Sequence, residues 1–202
     1  SGSGKTVLMK TIMGLYKPDS GTVLINDIDI NGDQVNSEQI KRNFAMVFQN
    51  SALLDSYTVF QNVALPLYER DEHNAELIAE KVEQALAVVG LSHTKAMYPA
   101  ELSGGMKKRI ALARALVYEP AFIVFDEPIS GLDPITSKEV LYYMEEIIKS
   151  RTITAITVTH DIRDLDRIGD HALFIDAGKV LFSGPLNDIF SNPDPLIREF
   201  IS

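Results

Sequence analysis

Glu101-Leu102-Ser103-Gly104-Gly105-Met106-Lys107-Lys108-Arg109 decides the fold of this chain, together with Ala113-Arg114-Ala115 just beyond it. Ser103 precedes a run of helically spaced apolar residues, where a hydroxyl caps a helix by accepting a hydrogen bond from its first turn. Two glycines directly after the cap leave backbone N–H groups open at the positive end of the helix dipole, which is a site for an anion. A capped helix with nothing bound satisfies the same residues. The segment therefore has to be read with what lies on either side of it.

Downstream, Ile123-Val124-Phe125-Asp126-Glu127-Pro128 is an apolar strand that ends in two carboxylates. Asp126 is placed to hold a Mg²⁺ shell and Glu127 to polarise an attacking water. A plain strand ending in an acidic turn is the alternative for this stretch alone. Upstream, Ser1-Gly2-Ser3-Gly4-Lys5-Thr6 has the form of a phosphate loop. Gly2 and Gly4 let the backbone approach phosphate oxygens, Lys5 reaches the β- and γ-phosphates, and Thr6 ligates Mg²⁺. A Gly/Ser turn before an ordinary helix is the competing reading. The pattern G-x-x-x-x-G-K-[ST] puts its first glycine ahead of Ser1, and a strand normally feeds such a loop. The chain is thus expected to begin inside the motif, without the N-terminal strands of its sheet.

Composition narrows the class. The 202 residues suit one domain with one core. An apolar fraction of 46% with 23% charged residues is that of a globular protein. No apolar run approaches the roughly 18 residues that cross a bilayer, and no secretory leader is visible. Cysteine is absent, which excludes disulfides and thiolate-bound zinc. A net charge of −9 argues against nucleic acid or an anionic lipid surface as the main partner.

Periodicity predicts a helix over residues 5–15, short strands at 22–25 and 28–30, and a compact strand at 44–48 ending at Gln49. Helices dominate from 49 to about 91, and Ser103 caps another reaching about 117. After Pro120 come a buried strand at 122–125, a helix at 137–148 and a buried strand at 153–158. Two further strands, near 172–175 and 180–183, precede short helices near Leu186 and Leu196. Apolar strands alternating with amphipathic helices indicate an α/β fold with a mainly parallel sheet covered on both faces. Residues from about 52 to 114 lack strands and read as a helical subdomain inserted in that single domain.

The ordered motifs resemble those of the ATP-binding cassette (ABC) transporter ATPases, and the likeness runs over the whole chain. It implies a P-loop NTPase core that binds ATP and Mg²⁺. Gln49 resembles the family's Q-loop glutamine, which contacts Mg²⁺ and senses the permease. Ser130-Gly131-Leu132-Asp133 resembles the D-loop, which crosses a dimer interface. His160, in Val158-Thr159-His160-Asp161, resembles the histidine that contacts the γ-phosphate. The implied catalytic residues are Glu127 and His160. Those for ATP are Ser1, Gly2, Ser3, Gly4, Lys5, Thr6, Val7, Gln49, Ser103, Gly104, Gly105, Met106 and Asp133, with Thr6, Gln49 and Asp126 at the metal. Two positions depart from the family pattern. Val7 replaces a hydroxyl residue, and Met106 replaces the glutamine that usually follows the glycines.

A narrower resemblance attaches to Phe48-Gln49-Asn50-Ser51-Ala52-Leu53-Leu54-Asp55-Ser56-Tyr57-Thr58-Val59-Phe60, to Asn62-Val63-Ala64-Leu65-Pro66-Leu67, to Met106, and to Asn192-Pro193-Asp194-Pro195. These look like Mla-type ATPases, which move phospholipid with an MCE-domain partner. Apolar positions that simply pack a helical subdomain are the other reading of the same residues. The resemblance implies a homodimer at the cytoplasmic face of the inner or plasma membrane, bound to a permease and an MCE-domain lipid-binding protein, with no nucleic acid partner. Other ABC importers and exporters, and non-transport ABC ATPases, remain the rivals.

Overall fold

The computed structural model describes residues 3–32, 35–150, 153–160 and 168–201. The chain divides into two compact units, Ser1–Asn43 with Val158–Ser202, and Phe44–Thr157.

The first unit opens with α1 (Lys5–Ile12), which buries Met9. It stops short of the expected residue 15, because the N–H groups of Leu15 and Tyr16 fold back onto the Lys10 carbonyl. The strands β1 (Leu24–Ile25) and β2 (Ile28–Asp29) form an antiparallel hairpin. Its turn is Asn26-Asp27, both at positive φ, as a two-residue hairpin with the right twist requires. Helix α2 (Val35–Arg42) was not visible in the apolar pattern; it is polar along nearly its whole length.

The second unit holds β3 (Phe44–Val47), α3 (Val59–Tyr68), α4 (Ala75–Val88), α5 (Gly104–Leu116), β4 (Phe122–Asp126), α6 (Pro134–Ser150) and β5 (Thr154–Val158). Strands β3 and β4 pair in parallel, from Phe44 opposite Phe122 to Val47 opposite Phe125, within a sheet of order β3-β4-β5. The rings of Phe44 and Phe122 stack with centroids 4.8 Å apart. Ile123, Val124 and Phe125 are buried, which explains why this strand is apolar at successive positions rather than alternating.

The helices cohere through one apolar stripe each. Thr58 caps α3 in a reciprocal capping box with Gln61, and Asn74 caps α4. Val59, Val63, Ala64 and Leu67 of α3 are buried, as are Ile78, Val82 and Leu86 of α4. Each such aliphatic side chain contributes about 1.5–3 kcal/mol by leaving water. At the end of α3, the Arg70 guanidinium lies 3.5 Å from the centre of the Tyr118 ring. The Tyr118 hydroxyl donates to the Phe44 carbonyl at 2.8 Å, so the helices are fastened to the start of β3. Burial raises the Tyr118 pKa and keeps the hydroxyl a donor.

The chain then returns to the first unit with the hairpin of β6 (His171–Asp176) and β7 (Lys179–Pro185), followed by α7 (Leu186–Ile189) and α8 (Pro195–Ile201). Leu186, Ile189 and Ile197 form its small core with Ala172, Phe174, Phe182 and Ile201 against them.

Candidate active site

In the first unit the phosphate loop is described from Ser3 onward; Ser1 and Gly2 lie outside the described residues. Gly4 is the N-cap of α1 at φ 95°, a left-handed conformation that a side chain would strain. No side chain caps this helix, so its first N–H groups lie beside a backbone that a phosphate can approach. The Lys5 ammonium donates to Ser3 Oγ at 3.0 Å, and the Gly178 N–H donates to the Ser3 carbonyl at 3.2 Å. Thr6 and Val7 are exposed on the first turn. His160 is exposed two residues after β5.

The second unit gathers the remaining residues around the end of β4. Asp126 closes the strand, and Glu127 follows in the left-handed region at φ 49°. A non-glycine residue there costs about 1–3 kcal/mol and persists only when its surroundings fix it. The Ser130 N–H donates to the Glu127 carbonyl at 3.2 Å, and Gln49 Nε2 donates to Ser130 Oγ at 3.2 Å. The side chain of the glutamine after β3 and the main chain of Glu127 after β4 are thereby joined through one serine of the loop before α6.

Ser103 caps α5, its hydroxyl accepting from the Met106 N–H at 3.2 Å. Ser103 and Gly104 are exposed while Gly105 is buried. A Cβ on Gly105 would come within 2.3 Å of Thr136 Cγ2, because α5 and α6 approach closely here. Thr136 cannot turn aside freely, since its hydroxyl donates to Asp133 Oδ2 at 2.5 Å. Gly105→Ala should therefore destabilise the fold by about 1–2 kcal/mol through overpacking. Adding Thr136→Ser, which removes the methyl and keeps the hydroxyl, should restore the denaturation midpoint. A double variant no more stable than the single one would refute this account.

Asp133 has a structural task as well. Its carboxylate accepts from the Ile135 and Thr136 N–H groups at 3.0 and 3.1 Å at the start of α6. The Thr136 side chain and backbone hold its pKa below the usual aspartate value.

Three residues outside the expected set complete the site. Lys108, 5% exposed, sends its ammonium to the Gln49 carbonyl at 2.5 Å and to the Glu127 carbonyl at 3.4 Å. Burial lowers its pKa, opposed by the charges of Glu127 and Asp126. Arg114 donates to the Ser51 and Ala52 carbonyls, both at 2.6 Å, and those two residues are also left-handed, at φ 60° and 48°. Asn62, fully buried, accepts from the Leu54 N–H at 2.7 Å. Its amide N donates to the carbonyls of Leu54, Tyr57 and Thr58 at 3.1 Å. Each partner is a backbone group, which no spacing of residue types announces.

The chain is similar to known proteins in both sequence and fold. A family model described as ABC transporter matches residues 1–130. The methionine import ATP-binding protein MetN of Pasteurella multocida is 42% identical over the whole chain, and that of Rhodopseudomonas palustris 39%. The chain spans 59% and 55% of those proteins. Among solved structures, cbiO1 from Clostridium perfringens, part of the ABC transporter complex cbiONQ, superposes with a TM-score of 0.85 at 30% identity, covering 98% of this chain and 79% of its own. The dimeric ATP-binding cassette MJ0796, bound to ADP and Pi, gives 0.77 at 30% identity over 91% of this chain and 81% of its own.

The narrower, Mla-type expectation gains no support from the MetN relatives, whose names are those of methionine importers. The physical reason lies in the residues that carried it. Val59, Asn62, Val63, Ala64 and Leu67 are all buried, so their types answer first to packing inside the helical part and carry little information about cargo.

Proposed function

The chain belongs to the ABC transporter family and has the α/β fold of its ATPases, and from that premise we propose that it is the ATP-hydrolysing subunit powering a membrane permease. The observation that supports this reading most is the bonded set of Gln49, Ser130 and Glu127 at the end of β4. It ties the main chain of the candidate base to a glutamine, the two residues that hydrolysis and its coupling need.

The residues present fit MgATP. Lys5, Thr6 and the uncapped start of α1 suit the triphosphate, and the motif assigns Ser1, Gly2, Ser3, Gly4 and Val7 to it as well. By residue type, Thr6, Gln49 and Asp126 each carry an oxygen donor of the kind a hard cation takes, and the family pattern assigns them to it. Bound Mg²⁺ supplies charge neutralisation at the β- and γ-phosphates. Glu127 orients the attacking water and takes its proton, and His160 contacts the γ-phosphate. Residues 103–106 and Asp133 serve the ATP of a second copy, so two chains enclose two nucleotides. The dimeric, ADP-bound MJ0796 structure supports that pairing. In this reading residues 1–202 make one ATP-binding domain with a helical subdomain at about 52–114. None of the described helices is long and apolar enough to cross a membrane, and attachment at the cytoplasmic face runs through the permease. Leu54 and Tyr57, exposed beside Asn62, form the contact.

The names of the relatives favour import of a free amino acid of the methionine type; phospholipid traffic with an MCE-domain partner has no support from them. The complete protein, purified with its permease, should hydrolyse ATP only with Mg²⁺ and should change its turnover when methionine is presented. Stimulation by phospholipid vesicles in place of methionine would reassign the cargo. Absence of Mg²⁺-dependent hydrolysis would remove the ATPase reading altogether.

A further inference from the structure

The cation at Lys108 has a task that neither capping nor packing of α5 explains. It sits one turn inside the helix, is almost wholly removed from water, and spends its hydrogen bonds on two main-chain carbonyls. A buried ammonium is costly unless it is well compensated. Methionine would fill much the same space without that cost.

The two carbonyls are informative. One belongs to Gln49 and the other to Glu127, residues 78 apart in sequence that are also joined by the path Gln49 Nε2 to Ser130 Oγ and Ser130 N–H to Glu127 carbonyl. Lys108 closes this path into a ring. The Glu127 carbonyl thus receives donors from two directions, at the residue whose backbone is left-handed. Fixing that carbonyl fixes the plane of the peptide after Glu127 and, with φ set, the direction in which its Cβ leaves the chain. A base must be aimed as well as ionised: displacement by about 1 Å can cost on the order of a hundredfold in rate.

We propose that Lys108 is a positioning residue for ATP hydrolysis, clamping the carbonyls of Gln49 and Glu127 together so that the carboxylate is aimed only while the loop after β3 is in place. In this role Lys108 acts through Glu127, by way of the two carbonyls it holds. Displacement of the Gln49 carbonyl slackens the clamp and misaligns the base, which couples the permease-facing loop to chemistry. The inference rests on the ATPase reading given above.

The test uses the complete protein and compares Lys108→Met, Lys108→Arg and Lys108→Gln with wild type in kcat, KM for ATP and denaturation midpoint. Lys108→Met should lose about tenfold in kcat with KM unchanged within about threefold, the pattern of a contribution made in the transition state. Lys108→Arg, which keeps the charge and several donors, should recover most of that loss. Wild-type kcat in Lys108→Met would overturn the proposal. So would kcat and KM worsening together in step with lost stability, with Arg no better than Met. Should the Met variant not accumulate, Lys108→Gln decides: its amide is too short to hold both carbonyls, so reduced kcat at constant KM supports the clamp and unchanged kcat overturns it. Glu127→Gln measured in parallel separates the two claims. An inactive wild type defeats the ATPase reading, whereas a fully active Glu127→Gln removes Glu127 as the base and the clamp with it. An active wild type and a dead Glu127→Gln beside a normal Lys108→Met defeat only the clamp.

Discussion

Glu127→Gln should lower ATP turnover by about 10²–10³-fold while leaving ATP affinity close to wild type, the range expected when a positioned general base is lost. The substitution is chosen to change basicity alone. Glutamine has nearly the shape of glutamate, the left-handed backbone at φ 49° is unaltered, and the Glu127 carbonyl still accepts from Ser130 and Lys108. In the proposed function nucleotide binding rests on Lys5, Thr6 and the start of α1, which the change does not touch. Phosphate release at saturating ATP and equilibrium binding of a nucleotide in the same preparation check both halves of the expectation. Hydrolysis at the wild-type rate would remove Glu127 from the role of base.

Asn62→Leu should have the largest effect on stability, about 2–4 kcal/mol, from leaving buried polar groups without partners. Leucine matches the branching of asparagine and has no donor or acceptor. The Leu54 N–H and the Leu54 and Tyr57 carbonyls lose the bonds that close the loop before α3. The Thr58 carbonyl keeps the Asn62 N–H, which limits the loss. Because Leu54 and Tyr57 are exposed, water relieves part of the cost and the lower half of the range applies to a loosened loop. A urea titration measures the change, and an unchanged midpoint would contradict the role of Asn62. Permease-dependent stimulation of ATP turnover should fall further than unstimulated turnover, since the loop presents the two side chains assigned to that contact.

The strands β3 and β4 were legible in the sequence because buried strands become short apolar runs with sharp ends. Strand β5 lies where expected but is only half-buried, with Thr154 exposed, so its expected burial is corrected. The capped helix at Ser103 was legible because its signal is local. Helix α2 was not, since nothing apolar marks a face along Val35–Arg42. The start of α6 lay three residues earlier than expected, at Pro134, where Asp133 caps the helix and proline occupies its first turn. An apolar pattern beginning later concealed that signal. The site divided in the same way. Motif residues could be named from their order, but Lys108, Arg114 and Asn62 act on carbonyls and N–H groups. Backbone atoms are the same at every position, so their partners emerge only when the chain is folded. The cargo was not legible for a related reason: buried side chains in α3 answer to packing before they mark a subfamily.

Helix α5 has one further consequence, which follows from its rigidity. Its 13 residues make a rod about 20 Å long. The exposed glycine end is the one proposed to serve a second copy, and two cations along the rod grip the loop after β3. Were the rod to tilt by about 10° about its C-terminal end, the glycine end would sweep about 3 Å, Lys108 about 2 Å and Arg114 about 0.5 Å. The Gln49 carbonyl would travel with Lys108 while Ser51 and Ala52 stayed with Arg114. A pull at the far subunit's nucleotide would thus swivel the loop about residues 51 and 52, making α5 a lever whose fulcrum is set by one arginine.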